Sequence, residues 1–282
     1  MPTPWRFVVD EALPGAVNMA RDAALFARAE ESGSPQTTLR FYRWDVPTLS
    51  LGNKQRVATA ADEGFCRRKG IAVVRRPTGG AAVLHHLELT YSVVSNDRGY
   101  FPQHGIMAIY LQISRALCRG LQALGVPARI VSHGALGPAR SDNYIRNPYP
   151  CFSAASHFEL VVGEHKIIGS AQKRGRRAFL QHGSIPCAYD WPLQAGSMRA
   201  REDDLRRVMT SIGAHVPDVP PYRDLAAAFT RGFEEVFGLD PLVSPAELSA
   251  EELQLARSLE AQFQVNGMET ENGGDGASGA AQ

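Results

Sequence analysis

Residues 75–94 read RRPTGGAAVLHHLELTYSVV, with two adjacent glycines near the start of the stretch. Glycine adopts positive φ angles without a steric penalty and lets another group lie close to the backbone. The runs at 71–76 and 89–94 are rich in β-branched residues and predict strands on either side. We therefore predict a strand, a tight loop at Gly79 and Gly80, and a return strand. A glycine pair in such a loop also occurs in turns that serve only the fold.

The composition limits the classes of protein to be considered. The chain has 282 residues, of which 44% are hydrophobic, enough for one large domain. Thirty basic and 29 acidic side chains give a net charge of +1, so the overall charge indicates no nucleic-acid partner. The first residues lack a signal-peptide pattern, and no apolar run approaches the roughly 18 residues of a membrane span. We expect a soluble cytoplasmic protein with no membrane partner.

The cysteines Cys66, Cys118, Cys151 and Cys187 show no metal-binding spacing, and a chain of this size needs no disulfides. We expect reduced thiols and no metal site. Cys151 follows a proline in a turn-rich run just before a predicted strand, a placement that suits a nucleophile. An isolated cysteine is more often a small buried hydrophobic residue. The residues alone leave both interpretations open.

Periodicity predicts several further elements. Apolar spacing predicts helices over 16–30, 106–124 and 225–236, and Ser244 is predicted to cap a last helix from Pro245 to Phe263. A strand is predicted over 38–44. A hairpin over 158–171 that turns at Gly163 would place Lys166 on its return strand. We predict one domain over 1–264 and a disordered, Gly-rich tail over 265–282.

Four blocks of the chain together resemble the catalytic domain of the lipoate/biotin protein ligase superfamily. They are RFYRWDVPTLSLGNKQ at 40–55, the stretch at 75–94, GEHKIIGSAQKR at 163–174 and LQHGSI at 180–185. The blocks occur in the order and with the spacing of that superfamily, and the resemblance covers residues 5–240. It implies an α+β fold in which a mixed β-sheet core is flanked by helices.

Two details favour the octanoyltransferase branch of this superfamily over its ATP-using lipoate ligases. The ligases usually carry a third glycine where this chain has Ala81, and an Asn-Asp pair ahead of the hairpin lysine. This chain instead has CFSAASHFEL at 151–160, and a cysteine followed by phenylalanine is similar to the octanoyltransferases. The resemblance implies Cys151 as the nucleophile and Lys166 as the cation that stabilises the thiolate and the oxyanion, without ATP or another cofactor. A strand lysine solvated by water is the alternative for Lys166.

The resemblance also implies where the acyl group binds. The glycine pair would admit the acyl chain, and the SAQ and HGS motifs would line the pocket. Arg75 and Arg76 would flank it, one in contact with the site and the other facing an acidic carrier domain; the alternative is that both end a strand in solvent. His85 matches the histidine of the family, and a structural imidazole is its alternative. His86 replaces the aspartate of many relatives, so we assign it no role. The predicted substrate-binding residues are Arg75, Gly79, Gly80, His85, Gly169, Ser170, Ala171, His182 and Gly183.

The implied partners are octanoyl-acyl carrier protein as donor and lipoyl-domain proteins as acceptors, such as the glycine-cleavage H protein or the E2 subunits of 2-oxoacid dehydrogenases. The basic run Lys173, Arg174, Arg176 and Arg177 is interpreted as a docking patch for such acidic carriers or as a solvated face. Other functions remain open. They are an ATP-dependent lipoate or octanoate ligase that forms an acyl-adenylate, a lipoyl amidotransferase, a cysteine hydrolase, and a non-catalytic acyl-binding protein.

Overall fold

A seven-stranded mixed sheet forms the centre of the fold. The computed structural model describes residues 4–101, 105–132, 158–241 and 245–265. The strands of this sheet are β1 (Arg6–Leu13), β2 (Thr37–Trp44), β6 (Glu88–Ser95), β7 (Arg129–Ser132), β8 (Phe158–Val162), β9 (His165–Arg174) and β10 (Phe179–Pro186). Their order is β1-β2-β6-β10-β9-β8-β7, with β1 and β2 parallel and the other neighbours antiparallel.

A second, three-stranded sheet carries the glycine loop. It contains β3 (Thr48–Leu51), β4 (Ala72–Arg75) and β5 (Val83–His85) in the order β4-β3-β5. The predicted strand, loop and return strand is therefore wrong in its pairing. β4 pairs with β3, and the chain adds the short strand β5 before it enters the large sheet as β6. The local pattern could not show this, because the partner of β4 lies more than twenty residues earlier in the chain.

Helices cover both faces of the large sheet. Helix α1 (Gly15–Glu31) packs on the face that carries Val94 and Leu180, whereas α4 (Ile106–Ala123) and α7 (Tyr222–Phe237) pack on the opposite face. The short helices α2 (Val57–Ala60), α3 (Glu63–Arg68), α5 (Trp191–Ser197) and α6 (Glu202–Arg206) lie around the small sheet. The predicted α+β class with a mixed sheet core is confirmed.

The predicted helices at 16–30, 106–124 and 225–236 are confirmed to within a few residues. Each of the latter two is followed by a glycine with positive φ, +84° at Gly125 and +62° at Gly238. The predicted start of the last helix is wrong, because α8 spans Ala250–Leu259. Ser249 caps it in a reciprocal capping box with Glu252, which satisfies the first amides of the helix. Residues 242–244, with the predicted cap Ser244, lie outside the described residues.

The remaining described residues complete the chain as follows. Single 3₁₀ turns span Ile212–Ala214 and Glu260–Phe263, and Phe263 packs against α1. The predicted boundary of the domain near residue 264 stays a prediction, because residues 266–282 are outside the described part of the chain. Within the described ranges, no helix is both long and apolar enough to cross a lipid bilayer.

Candidate active site

A narrow, partly open pocket of about 320 Å³ lies between the face of the large sheet under α1 and the face of the small sheet that carries Ser50 and Val83. Its wall includes Met19 of α1 and Val83 of β5, which supply apolar surface. The predicted substrate-binding residues that line it are His85, Gly169, Ser170, Ala171, His182 and Gly183. The structure thus gathers most of the predicted acyl-binding residues around one cavity.

Strand register explains why the SAQ and HGS motifs meet. β9 and β10 are antiparallel neighbours in which Ala171 pairs with His182 and Ser170 pairs with Gly183. A side chain at Gly183 would place its Cβ 2.5 Å from the Gly169 carbonyl oxygen and 2.7 Å from Tyr91 Cε1. Glycine is therefore required there for the two strands and Tyr91 to pack as they do. The two motifs form one wall of the pocket.

His182 is held at both ring nitrogens. Asp22 Oδ2 lies 2.9 Å from Nδ1, and Thr78 Oγ1 lies 2.7 Å from Nε2. Burial lowers the pKa of His182, although Asp22 opposes this shift, so the ring is neutral at neutral pH. A carboxylate only accepts, so the ring proton is on Nδ1, and the Thr78 hydroxyl donates to Nε2. Thr78 in turn accepts from Arg76 Nε at 3.1 Å, which links the histidine to the glycine loop.

Asp22 is fully buried inside a polar cluster under α1. Arg40 Nη1 donates to it at 2.8 Å, and the hydroxyls of Tyr42 and Ser92 each donate at 2.9 Å. Burial alone would raise the pKa of Asp22, but the positive charge of Arg40 and the contact with His182 outweigh it and lower the pKa. Sequence reasoning missed this residue. The sequence did contain one indication of a polar site: Asn18 and Asp22 are four residues apart, and so on one face, of a predicted helix that is rich in alanine.

The glycine loop is folded around the Arg76 side chain. Arg76 is buried and donates to the carbonyl oxygens of Gly79 at 2.6 Å, Ala81 at 2.8 Å and Ser50 at 3.0 Å. Gly80 has φ +91°, and a Cβ on Gly52 would lie 2.0 Å from the Gly80 carbonyl oxygen. The backbone at Gly52 thus makes the close approach to the glycine pair that was predicted for the acyl chain. Gly79 and Gly80 are not among the residues that line the pocket.

The two arginines ahead of the loop have different places. Arg75 donates from Nη1 to the carbonyl oxygens of Gly52 at 3.0 Å and Gln55 at 2.7 Å, and it does not line the pocket. Arg76 does line it. The Arg75 guanidinium thus holds the loop at 52–55, and its predicted role in substrate binding stays a prediction. The pairing continues one residue beyond β4, where the Arg76 amide donates to the Leu51 carbonyl oxygen at 2.9 Å, and the alternation of side chains turns Arg76 toward the pocket.

His85 is a hydrogen-bonded imidazole in the pocket wall, as its structural alternative predicted. Nε2 lies 2.8 Å from Ser50 Oγ, Nδ1 lies 3.1 Å from Glu88 Oε1, and the ring stacks on Trp44 with centroids 4.0 Å apart. Burial would raise the pKa of Glu88, but His85 and the Ser184 and Thr90 hydroxyls lower it. Glu88 is consequently ionised at neutral pH.

Lys166 lies on β9, as predicted, at a β-bulge. Leu160 pairs with Ile168 and Val161 with Lys166, so Ile167 is an extra residue in β9. Ile167 and Ile168 both join the core beneath α4, which turns Lys166 toward the other face of the sheet. There its Nζ lies 3.1 Å from Glu159 Oε1, and both residues are buried. The alternative of a lysine surrounded by water is wrong.

The predicted nucleophile Cys151 lies in the segment 133–157, outside the described residues. The other cysteines are poor candidates for a thiolate. Burial raises the pKa of Cys66 to about 11 and that of Cys187 to about 12, and it also raises the pKa of Cys118. Among the described residues, no group of three or more His, Cys, Asp or Glu side chains could hold a metal ion.

The basic run is exposed at the end of the β9–β10 hairpin. Arg176 and Arg177 occupy its turn, and Glu30 of α1 accepts hydrogen bonds from the backbone amides of Arg176 at 2.6 Å and Ala178 at 2.8 Å. An open cavity of about 680 Å³ lies beside the turn, with Arg98 and Arg174 among its walls. The arginine side chains therefore face solvent from a fixed backbone.

Comparison with known proteins agrees with this geometry. The family described as lipoyl protein ligase A/B catalytic domain matches residues 14–234. The chain is 37% identical to octanoyltransferase LipM of Symbiobacterium thermophilum, over 92% of this chain and 95% of that protein. It is 35% identical to octanoyltransferase LipM of Bacillus cereus, over 90% of this chain and 93% of that protein.

Solved structures share the same architecture. A crystal structure of lipoate-protein ligase A bound with ATP superposes with a TM-score of 0.74 and 25% identity, over 92% of this chain and 95% of that one. A bipartite lipoate protein ligase from Thermoplasma acidophilum gives a TM-score of 0.72 at 25% identity, over 92% and 93% of the two chains. The chain belongs to the lipoyl protein ligase A/B catalytic domain family and is an acyltransferase of its octanoyltransferase branch.

Proposed function

We propose that this chain takes an octanoyl group from acyl carrier protein onto Cys151 and passes it to a lysine of a lipoyl domain. The observation that carries the proposal is the set of relatives named octanoyltransferase, which are 37% and 35% identical over at least 90% of this chain. The acceptors would be lipoyl-domain proteins such as the glycine-cleavage H protein or an E2 subunit. The reaction belongs to lipoate biosynthesis.

The chemistry needs no ATP. The Cys151 thiolate attacks the carbonyl carbon of the donor thioester and forms a new carbon–sulfur bond. The carbon–sulfur bond to the carrier breaks, and the carrier sulfur leaves as a thiolate that takes up a proton from solvent. One thioester replaces another, so the step is nearly level in free energy. The neutral acceptor amine then attacks the enzyme thioester, the carbon–nitrogen bond forms, and the amine proton goes to the departing sulfur of Cys151. An amide is more stable than a thioester, and the two covalent steps divide one difficult transfer.

The described pocket supports this assignment through its lining. Met19 and Val83 offer an apolar wall, and the ring of His182 is neutral. The Arg76 guanidinium also lines the cavity, but it donates to the carbonyl oxygens of the glycine loop. The cavity therefore suits a hydrocarbon chain. Lys166 projects from the same face of the sheet beyond the β9 bulge. In the proposed mechanism its ammonium stabilises the tetrahedral oxyanion, while Glu159 holds it in place.

The exposed arginines of the β9–β10 turn are the surface we assign to carrier docking. Acyl carrier and lipoyl domains are commonly acidic, and a basic patch attracts them over a distance that salt screens. Because the turn backbone is tied to α1 by Glu30, the patch is presented in one orientation.

An ATP-dependent ligase is the second candidate, because the same fold occurs in a lipoate-protein ligase bound with ATP. That reaction would proceed through an acyl-adenylate and leave Cys151 unmodified. Ala81, in place of the third glycine of the ligases, favours the transferase. The donor and the need for ATP separate the two reactions experimentally.

The test is the intact mass of the protein after mixing with octanoyl-acyl carrier protein in the absence of ATP. We expect a hydroxylamine-sensitive octanoyl adduct on the wild type and on Cys187→Ala, and none on Cys151→Ala. Addition of apo lipoyl domain should discharge the adduct and acylate the domain. Acylation that occurs only with free octanoate, ATP and magnesium would instead establish the ligase.

A further inference from the structure

Strand register brings Glu159 and Lys166 together. Val161 of β8 pairs with Lys166 of β9, and directly opposite residues of an antiparallel pair point to the same face of the sheet. Glu159 lies two residues before Val161 and therefore projects from that face as well. Its oxygen Oε1 lies 3.1 Å from Lys166 Nζ, within reach of a hydrogen bond from the ammonium group. The sheet thus determines which carboxylate meets the lysine.

Both members of this pair are removed from water. The side chain of Lys166 is 4% exposed and that of Glu159 is 2% exposed. An ammonium group loses its hydration in such surroundings, and the neutral amine becomes favoured unless a negative charge lies beside it. Lys166 therefore depends on the neighbouring carboxylate to remain a cation.

The strands beside Lys166 supply one acidic side chain. Within β7, β8 and the segment 208–210, which reads VMT, Glu159 is the single acidic residue. Arg129 of β7 projects from the same face of the sheet, but it is exposed and donates to the Gly163 carbonyl oxygen at 2.9 Å. In these strands the negative charge beside Lys166 is therefore that of Glu159.

The other titratable groups around this site are paired or reach solvent. Helix α6 leads into the segment 208–210 and carries Glu202 and Asp204, which pair with Arg206 and Arg207 at the surface. Four further titratable groups adjoin these elements and are exposed or half-buried: Asp203, Glu164, His165 and His215. A group in contact with water has its charge screened, so it influences the buried ammonium less than Glu159 does.

The backbone of Lys166 is held independently of the ion pair. On one side it pairs with Val161. On the other side the Lys166 amide donates to the Val208 carbonyl oxygen at 2.8 Å, and the Thr210 amide donates to the Lys166 carbonyl oxygen at 2.9 Å. This segment continues the sheet where the pairing of β10 with β9 ends. Removal of the Glu159 charge should therefore change the state of the lysine side chain and leave the strand in place.

Resting on the proposed octanoyl transfer, we propose that Glu159 is a positioning residue that keeps Lys166 cationic and thereby prevents the octanoyl group from passing to Lys166 itself. A neutral amine beside the Cys151 thioester would be a nucleophile. Its nitrogen would attack the thioester carbonyl carbon, the carbon–nitrogen bond would form, the carbon–sulfur bond would break, and the amine proton would go to the departing sulfur. The resulting amide on Lys166 is more stable than a thioester, so the octanoyl group could not move on to a lipoyl domain. The ammonium has no lone pair, and it stabilises the oxyanion without competing with the acceptor lysine.

The first test follows the charge of Lys166 without any acyl donor. The chain has four lysines, so the Nζ resonances of the ¹⁵N-lysine-labelled protein can be followed individually against pH, with Lys166→Arg identifying the Lys166 signal. We expect Lys166 to lose its proton at a pH roughly 1–3 units lower in Glu159→Gln than in the wild type, because an adjacent opposite charge favours the ionised form by about this much. Glu164→Gln, which removes an exposed carboxylate two residues from Lys166, is the matched control and should titrate as the wild type does.

The second test follows the octanoyl group. Each protein is incubated with octanoyl-acyl carrier protein at increasing pH without acceptor, treated with hydroxylamine, which cleaves thioesters and leaves amides, and mapped by peptide mass. We expect hydroxylamine to remove the octanoyl group completely from the wild type and from Glu164→Gln. In Glu159→Gln a resistant octanoyl group should appear on Lys166 and increase with pH. The double variant Glu159→Gln/Lys166→Met should carry no resistant group at this position.

An unchanged Nζ titration in Glu159→Gln would overturn the assignment, and a shifted titration without an amide on Lys166 would overturn the protective role. If Glu159→Gln does not fold, the double variant should, because neither charge is then left buried without the other. A double variant that also fails to fold would show that Glu159 serves the fold, which would overturn the proposal as well. The titration needs no covalent chemistry. A shifted titration in a protein whose wild type forms no octanoyl adduct would refute the transferase and leave the charge role of Glu159 supported.

Discussion

At the scale of single residues, the pocket is organised by hydrogen bonds that fix proton positions. Asp22 sets the tautomer of His182, and this tautomer makes the Thr78 hydroxyl a donor to Nε2 and an acceptor from Arg76. Once the proton is on His182 Nδ1, each group in this series can act toward its next neighbour only as a donor or only as an acceptor. The hydrogen bonds can therefore be arranged in only one way. The glycine loop and the β10 wall are coupled through a single hydroxyl.

Replacing that hydroxyl should loosen the wall of the pocket. Thr78→Val leaves His182 Nε2 without its donor, at about 1–3 kcal/mol for the unsatisfied nitrogen, whereas Arg76 Nε keeps the Gly79 carbonyl oxygen at 3.1 Å as acceptor. We expect octanoyl transfer to apo lipoyl domain to fall about tenfold or more in kcat/KM. Thr78→Ser, which retains the hydroxyl, should remain within a few-fold of wild type. Equal activity of the valine and serine variants would show that the contact does not matter for transfer.

Residues of this kind are the ones that sequence reasoning missed. His182 and Ala171 were predicted because their motifs are contiguous and matched the family resemblance. Asp22 acts through Ser92 and His182, which are 70 and 160 residues away along the chain, so only the fold brings the three together. The arginine pair shows the same limit, since only the pleat of β4 decides which member faces the pocket.

At the scale of elements, one side chain joins helix α1 to the β9–β10 hairpin. The Glu30 carboxylate accepts from the amides of Arg176, Arg177 and Ala178, and a side chain at Gly175 would collide with it. Burial opposes ionisation of Glu30, but these amides together with the charge of Arg176 outweigh it and lower the pKa of Glu30. The basic turn is therefore ordered by an acidic residue from another element.

Removal of this carboxylate should release the turn locally. Glu30→Ala is expected to speed amide hydrogen exchange at 176–178 and to lower the free energy of unfolding by about 1 kcal/mol. Glu31→Ala, one position further along α1 and exposed, is the matched control and should leave both quantities unchanged. Unaltered exchange at 176–178 in Glu30→Ala would mean that the strand ladder alone orders the turn.

Elements defined by local signals were predictable, and elements defined by distant partners were not. Apolar periodicity and a following glycine located α4 and α7, because both signals lie within the helix itself. Ser244 and Ser249 offer similar capping patterns to a reader of the sequence. In the structure Ser249 caps the helix, and the segment before it is held on β1, where the Ala246 amide donates to the Phe7 carbonyl oxygen at 2.6 Å.

At the scale of the whole molecule, the two faces of the large sheet differ in chemistry. The face under α4 and α7 is an apolar core with Phe41, Phe229 and Phe233. The face under α1 carries the buried charges of Asp22 and Arg40 and opens into the pocket. One face of the sheet thus supplies most of the apolar packing, and the other holds buried polar groups in fixed positions beside the pocket.

This division makes the stability of the whole chain sensitive to acid. His182 has a folded pKa below its ordinary 6.5, so the unfolded chain takes up a proton first and stability falls as the pH drops through that value. The folded pKa of Asp22 lies below 3.8 and that of Glu88 below 4.5, so their contributions are lost in a second, lower window. Urea unfolding between pH 7.5 and about pH 2 should therefore show two successive declines. The upper decline should have a slope of at most about 1.4 kcal/mol per pH unit for each histidine. In His182→Gln the upper decline should shrink to the smaller part that half-buried His215 contributes, since burial lowers the pKa of that residue too. An upper decline of unchanged slope in His182→Gln would mean that His182 binds protons alike in the folded and unfolded chain.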